Sequence, residues 1–185
     1  MAKKADTWKK KQSFDIMVPE IMGNYVAGTT ITADPKNLMG RCTEISMRDL
    51  TENKAKQHLM LKIKIDNTKG DKALTSFKRF RLSRGYFMSI SGRGTGKINY
   101  IHDIELSDGK KVRVKTVVLT RRSPTNSQRK NVSDSIYNAL KNRSDFDLPN
   151  FIHYVVDSKM SVEIYRNIRN ICPMRRAEIH RVDVL

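Results

Sequence analysis

The chain alternates apolar and polar residues through much of its first two thirds and then changes period. Leu59, Leu61, Ile63 and Ile65 alternate with Met60, Lys62, Lys64 and Asp66, which predicts a strand buried on one face. Asn67-Thr68-Lys69-Gly70-Asp71 supplies a turn into a partner strand around Ala73 to Phe80. Further on, Ile98, Tyr100, His102, Ile104 and Leu106 alternate with Asn99, Ile101, Asp103 and Glu105. Val112, Val114, Thr116 and Val118 then alternate with Arg113, Lys115, Val117 and Leu119. Ser107-Asp108-Gly109-Lys110 stands between these two runs. Asp-Gly in that place predicts a hairpin closed by a type I′ turn, both of whose central residues need positive φ. In its second strand Arg113 and Lys115 share one face, and Val112, Val114 and Val118 the other, so one face enters a core while the other meets phosphate.

The remainder is read more coarsely. Pro19, Gly23, Gly28 and Pro35 break the segment from Ser13 to Gly40 into short strands and turns. Cys42, Ile45 and Met47 permit a strand, with a turn at Asp49 to Asn53. After Ser123-Pro124 the period becomes helical: Val132, Ile136 and Leu140 recur every fourth residue, predicting a helix from about Asn126 to Asn142. Phe151, Val155, Met160, Ile164, Ile168 and Ile171 predict one or two helices between Asn150 and Ile171, ending before Pro173. Met174 to Leu185 reads as a last extended segment. Strands first and helices later give an α+β class: an antiparallel, barrel-like β core with C-terminal flanking helices and a basic N-terminal arm. The expected organisation is an arm over 1–12 and a single domain over 13–185, β-rich over 13–122, helical over 124–172, with a basic tail over 173–185.

Charge turns this fold reading toward a function. Among 185 residues, 36 Lys+Arg face 19 Asp+Glu, a net charge of +17, and a chain carrying such self-repulsion expects a polyanionic partner. From Lys78 to Lys97 there are six basic residues (Lys78, Arg79, Arg81, Arg84, Arg93, Lys97) and no acid. From Lys110 to Lys130 there are eight (Lys110, Lys111, Arg113, Lys115, Arg121, Arg122, Arg129, Lys130), again with no acid. Solvated faces mix both signs, so acid-free blocks point to phosphate contacts. Lys3, Lys4, Lys9, Lys10 and Lys11 make the N-terminal arm a segment that orders on its partner. Trp8 within it either latches onto the body or stacks on a base.

Other chemistries find little footing. No apolar run approaches the roughly 18 residues of a membrane span, no apolar stretch follows the lysines as in a secretory signal, and Ala2 argues against myristoylation. Cytoplasm is the simplest expectation. Cys42 and Cys172 belong to no C-x-x-C pair and are expected to be reduced, half-buried thiols. His58, His102, His153 and His180 have no metal-ligand spacing, and no G-x-S-x-G elbow occurs. Gly92-Arg93-Gly94-Thr95-Gly96-Lys97-Ile98 lacks the spacing and the Ser or Thr of a P-loop; a turn presenting Arg93 and Lys97 to an RNA phosphate remains plausible. No catalytic residue, cofactor or metal is expected.

Ten blocks carry a resemblance: Trp8, Pro19-Glu20, Met39-Gly40-Arg41, Asp49-Leu50-Thr51, Lys56-Gln57-His58, Arg93-Gly94-Thr95, the run Asp108 to Lys115, Ser127-Gln128-Arg129, Glu163-Ile164-Tyr165, and Pro173 to Ile179. In this order the chain resembles the S-three-Ae family of archaeal and eukaryotic small-subunit ribosomal proteins, also classed as eukaryotic-type S-one, at archaeal length. It departs at Thr116, where a proline is expected, and at Ser83-Arg84-Gly85-Tyr86, where an acid commonly follows the arginine. The resemblance implies a structural protein of the small ribosomal subunit, on the platform near the messenger exit, supporting assembly and translation. It implies as partners small-subunit rRNA, neighbouring platform proteins and messenger near the exit, and neither a membrane nor a small-molecule substrate.

Through matching motifs the resemblance makes Arg41, Lys56, His58, Arg93, Arg113, Lys115, Arg175 and Arg176 rRNA-facing candidates, with internal pairing the alternative for Arg41 and His58. The basic blocks, the arm and the tail add Arg84, Lys97, Lys111, Arg121, Arg122, Arg129, Lys130 and Arg181. The rival is an RNA modification or processing enzyme whose basic blocks hold substrate; a DNA-compacting protein stands third.

Overall fold

A computed structural model describes residues 11–19, 22, 23, 25–92, 94 and 96–185. The expected basic arm therefore lies outside the described residues but for Lys11 and Gln12, as do Trp8 and Arg93. The chain forms two compact units, one ending at Lys78 and one from Arg79 to Leu185.

In the first unit β1 (Gln12–Met17) pairs antiparallel with β2 (Val26–Thr32), with a bulge at Ile16/Met17. β3 (Cys42–Ser46) pairs antiparallel with β4 (Leu59–Lys69). β5 (Lys72–Leu82) begins here, parallel to β1 at Asp15 and Ile16. The alternation in β4 is realised: Leu59, Leu61, Ile63 and Ile65 are all buried while Met60, Lys62 and Lys64 are half-exposed. The turn after it is shorter than expected. β4 runs on through Lys69, and Gly70 at φ +59° reverses the chain into β5, a conformation glycine adopts without steric cost. Met47 to Asn53 also differs from a strand and turn. Ser46 accepts a hydrogen bond from the Arg48 N–H at 3.2 Å and starts a short helix, α1 (Met47–Thr51), because serine at an N-cap satisfies an otherwise unpaired amide.

The second unit takes up the end of β5 and adds α2 (Arg84–Ile90), β6 (Gly96–Glu105), β7 (Lys111–Thr120), α3 (Asn126–Lys141), α4 (Leu148–Val156), α5 (Lys159–Ile168) and β8 (Met174–Val184). Its strands run in the order β5-β8-β7-β6, all antiparallel. The α+β class is thus realised, but the barrel-like core is not. Within the second unit the strand path is an open row from β5 to β6. The extended segment expected over Met174 to Leu185 is realised as β8 (Met174–Val184), which lies between β5 and β7, inside the sheet.

The β6–β7 hairpin forms with Tyr100 opposite Thr116 and Asp103 opposite Arg113. Its turn is not type I′. Gly109 has φ +70° but Asp108 does not join it at positive φ, and the Gly109 N–H donates to the Leu106 carbonyl at 2.9 Å. This is a three-residue loop with one left-handed glycine, the next commonest hairpin closure. At the other end of the hairpin, a Cβ on Gly96 would stand 2.3 Å from Thr120 Oγ1 and 3.1 Å from the Arg122 carbonyl. That crowding explains one glycine of the Gly92–Gly96 run by packing.

One face of this sheet is covered by the helices. Val132, Ile136 and Leu140 of α3, Phe151 and Ile152 of α4, and Met160, Ile164 and Ile168 of α5 are buried, as are Val112, Val114, Val118 and Val182 of the sheet. α3 packs on β6, and α5 on β8, α3 and α4. Of the two cysteines, Cys42 is exposed and Cys172 buried, rather than both half-buried. Among the described residues no helix is long and apolar enough to cross a membrane, and no group of three His, Cys, Asp or Glu side chains is placed to hold a metal.

Candidate nucleic-acid interface

The face of the second unit's sheet opposite the helices is organised in rows, because cross-strand register aligns residues of the same parity. One row runs Asp103 (β6), Arg113 (β7), Asp183 (β8) and Arg79 (β5). Its charges alternate and are fully engaged. Arg113 grips Asp103 through Nε to Oδ1 and Nη2 to Oδ2, both at 2.8 Å. Asp183 accepts from Arg79 Nε on one oxygen and from Arg181 Nε at 2.6 Å on the other. The Arg113 hydrogen bonds and charge hold the Asp103 carboxyl below the usual carboxylate range.

The next row is Ile101 (β6), Lys115 (β7), Arg181 (β8) and Arg81 (β5). It carries three cations side by side. Between this row and the following one β8 bulges, since Lys115 faces Arg181 while Thr116 faces Ile179. The extra residue is His180. Its ring lies 4.5 Å from that of Phe87 on α2, and Lys97 Nζ sits 4.2 Å from the centroid of the same Phe87 ring. Burial, and then the charges of Lys97, Arg181, Lys115 and Arg81, hold the His180 ring below its usual range, so it is neutral at pH 7. α2 is fixed beside β8 by Arg176, whose Nη1 donates to Tyr86 Oη at 2.8 Å. Phe87, Lys97, Ile101, Lys115, Val117 and His180 line a recess of about 260 Å³.

The structure separates the sequence-derived candidates into groups. Lys97 and Lys115 line the recess, and the charges of Arg181 and Arg81 act on the His180 ring beside them. Arg175 and Arg176 line a second hollow of about 310 Å³ with Ser89, Ile90 and Leu119. Arg121, Arg122, Arg129 and Lys130 are exposed around the β7–α3 connection, where Arg129 Nε donates to the Pro124 carbonyl at 3.4 Å. Arg84 is exposed at the start of α2. Lys111 stands at the opposite end of β7 from Arg121, roughly 30 Å away at the usual rise per residue, so this basic block is not one patch. Arg113 is committed to Asp103.

In the first unit, Arg41 is exposed and Nη1 donates to Thr30 Oγ1 at 3.3 Å, internal pairing of the kind allowed for it. Lys56 and His58 are half-buried around the start of β4 and engage other groups of the protein. Lys11 is exposed before β1; Lys3, Lys4, Lys9, Lys10 and Arg93 lie outside the described residues.

The geometry adds Arg81, Phe87 and His180 to this surface. Arg81 stood in the acid-free block, but its neighbours Lys115 and Arg181 are 34 and 100 positions away, and β8 had no recognised strand register. His180 reaches the surface through a bulge, which no period-two pattern foretells.

Comparison with known proteins gives the family. Residues 1–185 match the Ribosomal S3Ae family. The chain is 34% identical to the small ribosomal subunit protein eS1 of Methanothrix thermoacetophila, over 99% of this chain and 87% of that protein. It is 35% identical to the protein of the same name from Methanococcus vannielii, over 97% and 82%, and 34% identical to that of Archaeoglobus fulgidus, over 100% and 89%. With a family match across its whole length and three relatives above the 30% level that cover nearly all of it, the chain belongs to the Ribosomal S3Ae family.

Proposed function

We propose that this protein is a structural constituent of the small ribosomal subunit that binds small-subunit rRNA on the platform near the messenger exit, supporting subunit assembly and translation. It is not an enzyme, and its working place is the ribosome in the cytoplasm. The observation that carries the reading is near-full-length identity to proteins named small ribosomal subunit protein eS1, together with a net charge of +17. Lysine and arginine release counterions from RNA phosphates, and the folded body supplies the shape that fits RNA tertiary structure. Residues 13–185 act as one rRNA-binding domain, the arm over 1–12 adds contacts along the RNA, and neighbouring platform proteins complete the site. Among the candidates, Arg84, Lys97, Lys111, Arg121, Arg122, Lys130 and Arg175 are exposed.

The test is sedimentation of a native lysate at high salt, with the protein quantified against a known subunit protein. One copy per small subunit, retained where phosphate contacts alone weaken steeply, is the expected result. Loss to the top of the gradient would overturn the assignment and favour a transient RNA-acting factor.

A further inference from the structure

We propose that the recess between α2 and the β6–β7–β8 face seats a single unpaired RNA nucleotide, its phosphate on Lys97 and Lys115 and its base against the Phe87–His180 aromatic wall. The proposal rests on rRNA being the partner, and it names where and in what form the RNA is held.

The first argument is charge. Lys115 stands in register beside Arg181, which stands beside Arg81, and like charges directly opposite one another destabilise a sheet. The neighbouring row shows that this face can neutralise itself, since Asp103 and Asp183 alternate there with Arg113 and Arg79. In the cationic row β6 contributes Ile101 instead of an acid. Asp183, one row away on β8, already accepts from Arg79 and Arg181, and Glu178, one row away on the other side, pairs with Arg176. Among the described residues Lys115 has no carboxylate partner. An external anion is what Lys115 lacks, and a phosphate oxygen bridging it and Lys97, the other cation lining the recess, suits the lysine point charge.

The second argument is shape. About 260 Å³ lies just below the roughly 300–1,000 Å³ of sites that enclose drug-sized ligands, the scale of one nucleotide rather than of a duplex. Aromatic and apolar groups line it beside Asn99 and Thr116: Phe87 and His180 meet at 4.5 Å, Ile101 is 57% exposed, and Val117 joins them. Phosphate alone needs no such lining. Unstacked bases are held by aromatic planes of this kind, histidine included. Burial and the surrounding cations hold the His180 ring below its usual range, which favours the uncharged ring as a stacking surface.

The experiment measures binding of the full chain to small-subunit rRNA, to a short single-stranded RNA oligomer and to a duplex of equal length, across a salt series. The Lys97→Gln, Lys115→Gln double variant is expected to lower the salt slope for rRNA and for the single strand by about two, one per lysine. His180→Ala is expected to weaken the single strand roughly tenfold, while His180→Phe, which keeps a ring, restores it. Ultraviolet crosslinking of the reconstituted subunit is expected to join a nucleotide to the peptide carrying Phe87, Lys97 or His180. If the unaltered protein binds rRNA but the lysine variant keeps its slope, the recess is not a phosphate site. Equal losses for duplex and single strand, or an unaltered His180→Ala, would overturn the unpaired base. Failure of the unaltered protein to bind rRNA at all would instead overturn the ribosomal reading beneath it.

Discussion

Arg113 and Asp103 face each other across β6 and β7 and are joined by two parallel hydrogen bonds of 2.8 Å. Lys115, two residues along the same strand face, has no such partner among the described residues and looks across at Arg181. Two basic residues that period-two patterning makes equivalent are therefore chemically distinct. One closes an internal ladder; the other is available to an external anion.

That distinction is measurable. Lys115→Gln is expected to reduce the salt slope of rRNA binding by about one, whereas Arg113→Gln leaves it nearly unchanged. Titrating rRNA binding against salt for the two single variants decides the matter. A larger slope change for Arg113→Gln would mean that the Asp103 pair opens on RNA.

The helical layer has a clear weak point at Ile164. It is fully buried on α5, the helix that packs on β8, α3 and α4. Truncation there loses transfer free energy and leaves a cavity, so Ile164→Ala is expected to cost about 2–5 kcal/mol of stability. Urea unfolding monitored by circular dichroism checks this; a loss under 1 kcal/mol would place this side chain outside the core.

Ser127-Gln128-Arg129, one of the blocks behind the family resemblance, begins α3 and has a structural use. Thr125 Oγ1 accepts from the Gln128 N–H at 3.3 Å, and Gln128 Oε1 accepts from the Thr125 N–H at 3.0 Å, a capping box. Gln128 Nε2 also donates to the Ile171 carbonyl at 3.3 Å. Thr125→Ala is expected to cost about 1 kcal/mol, and Gln128→Ala, which severs two hydrogen bonds, about 2 kcal/mol. Equal losses in denaturant titrations would show that the Ile171 contact contributes nothing.

These particulars show which parts of the molecule were readable from residue order. The β6–β7 hairpin and the three long helices were legible because their apolar stripes are regular: Ile98, Ile104, Val112, Val114 and Val118 at period two, and Val132, Ile136 and Leu140 at every fourth position. α2 was not, because Arg84 to Ile90 is a single short helix, with Gly85 inside it and none of its residues fully buried. β8 was legible as an extended segment but not as an interior strand, because Arg175, Arg176, Glu178, His180, Arg181 and Asp183 gave it a charged sequence. It is an interior strand because it pairs with both β5 and β7 and buries Ala177, Ile179 and Val182, while the partner of its Asp183, Arg79, comes from 104 residues away. For the same reason the basic blocks announced nucleic acid but not which cations would share one surface.

The last prediction concerns protons. Burial holds both His102 and His180 below the ordinary histidine value of 6.5. Around His102 stand the Tyr100 and Tyr137 rings, and the carboxylates of Asp103 and Asp134 oppose the shift. Around His180 the charged neighbours Lys97, Arg181, Lys115 and Arg81 all reinforce it. A histidine depressed in the folded state takes up its proton less readily than in the unfolded chain, so its contribution to stability is complete above pH 6.5 and is lost as pH falls through and below that value. Melting temperature is therefore expected to be lower at about pH 5.5 than at about pH 7.5, with a smaller difference in a His102→Phe, His180→Phe variant. An undiminished difference in that variant would assign the loss to other groups. RNA separates the two histidines further. Phosphate seated on Lys97 and Lys115 offsets the cations that depress His180, so its ring titrates higher in the complex. His102, beside α3 on the opposite face, keeps its value. Nuclear magnetic resonance titration of the two rings with and without the single-stranded oligomer reads this directly, and a His180 value unmoved by RNA would remove phosphate from the recess.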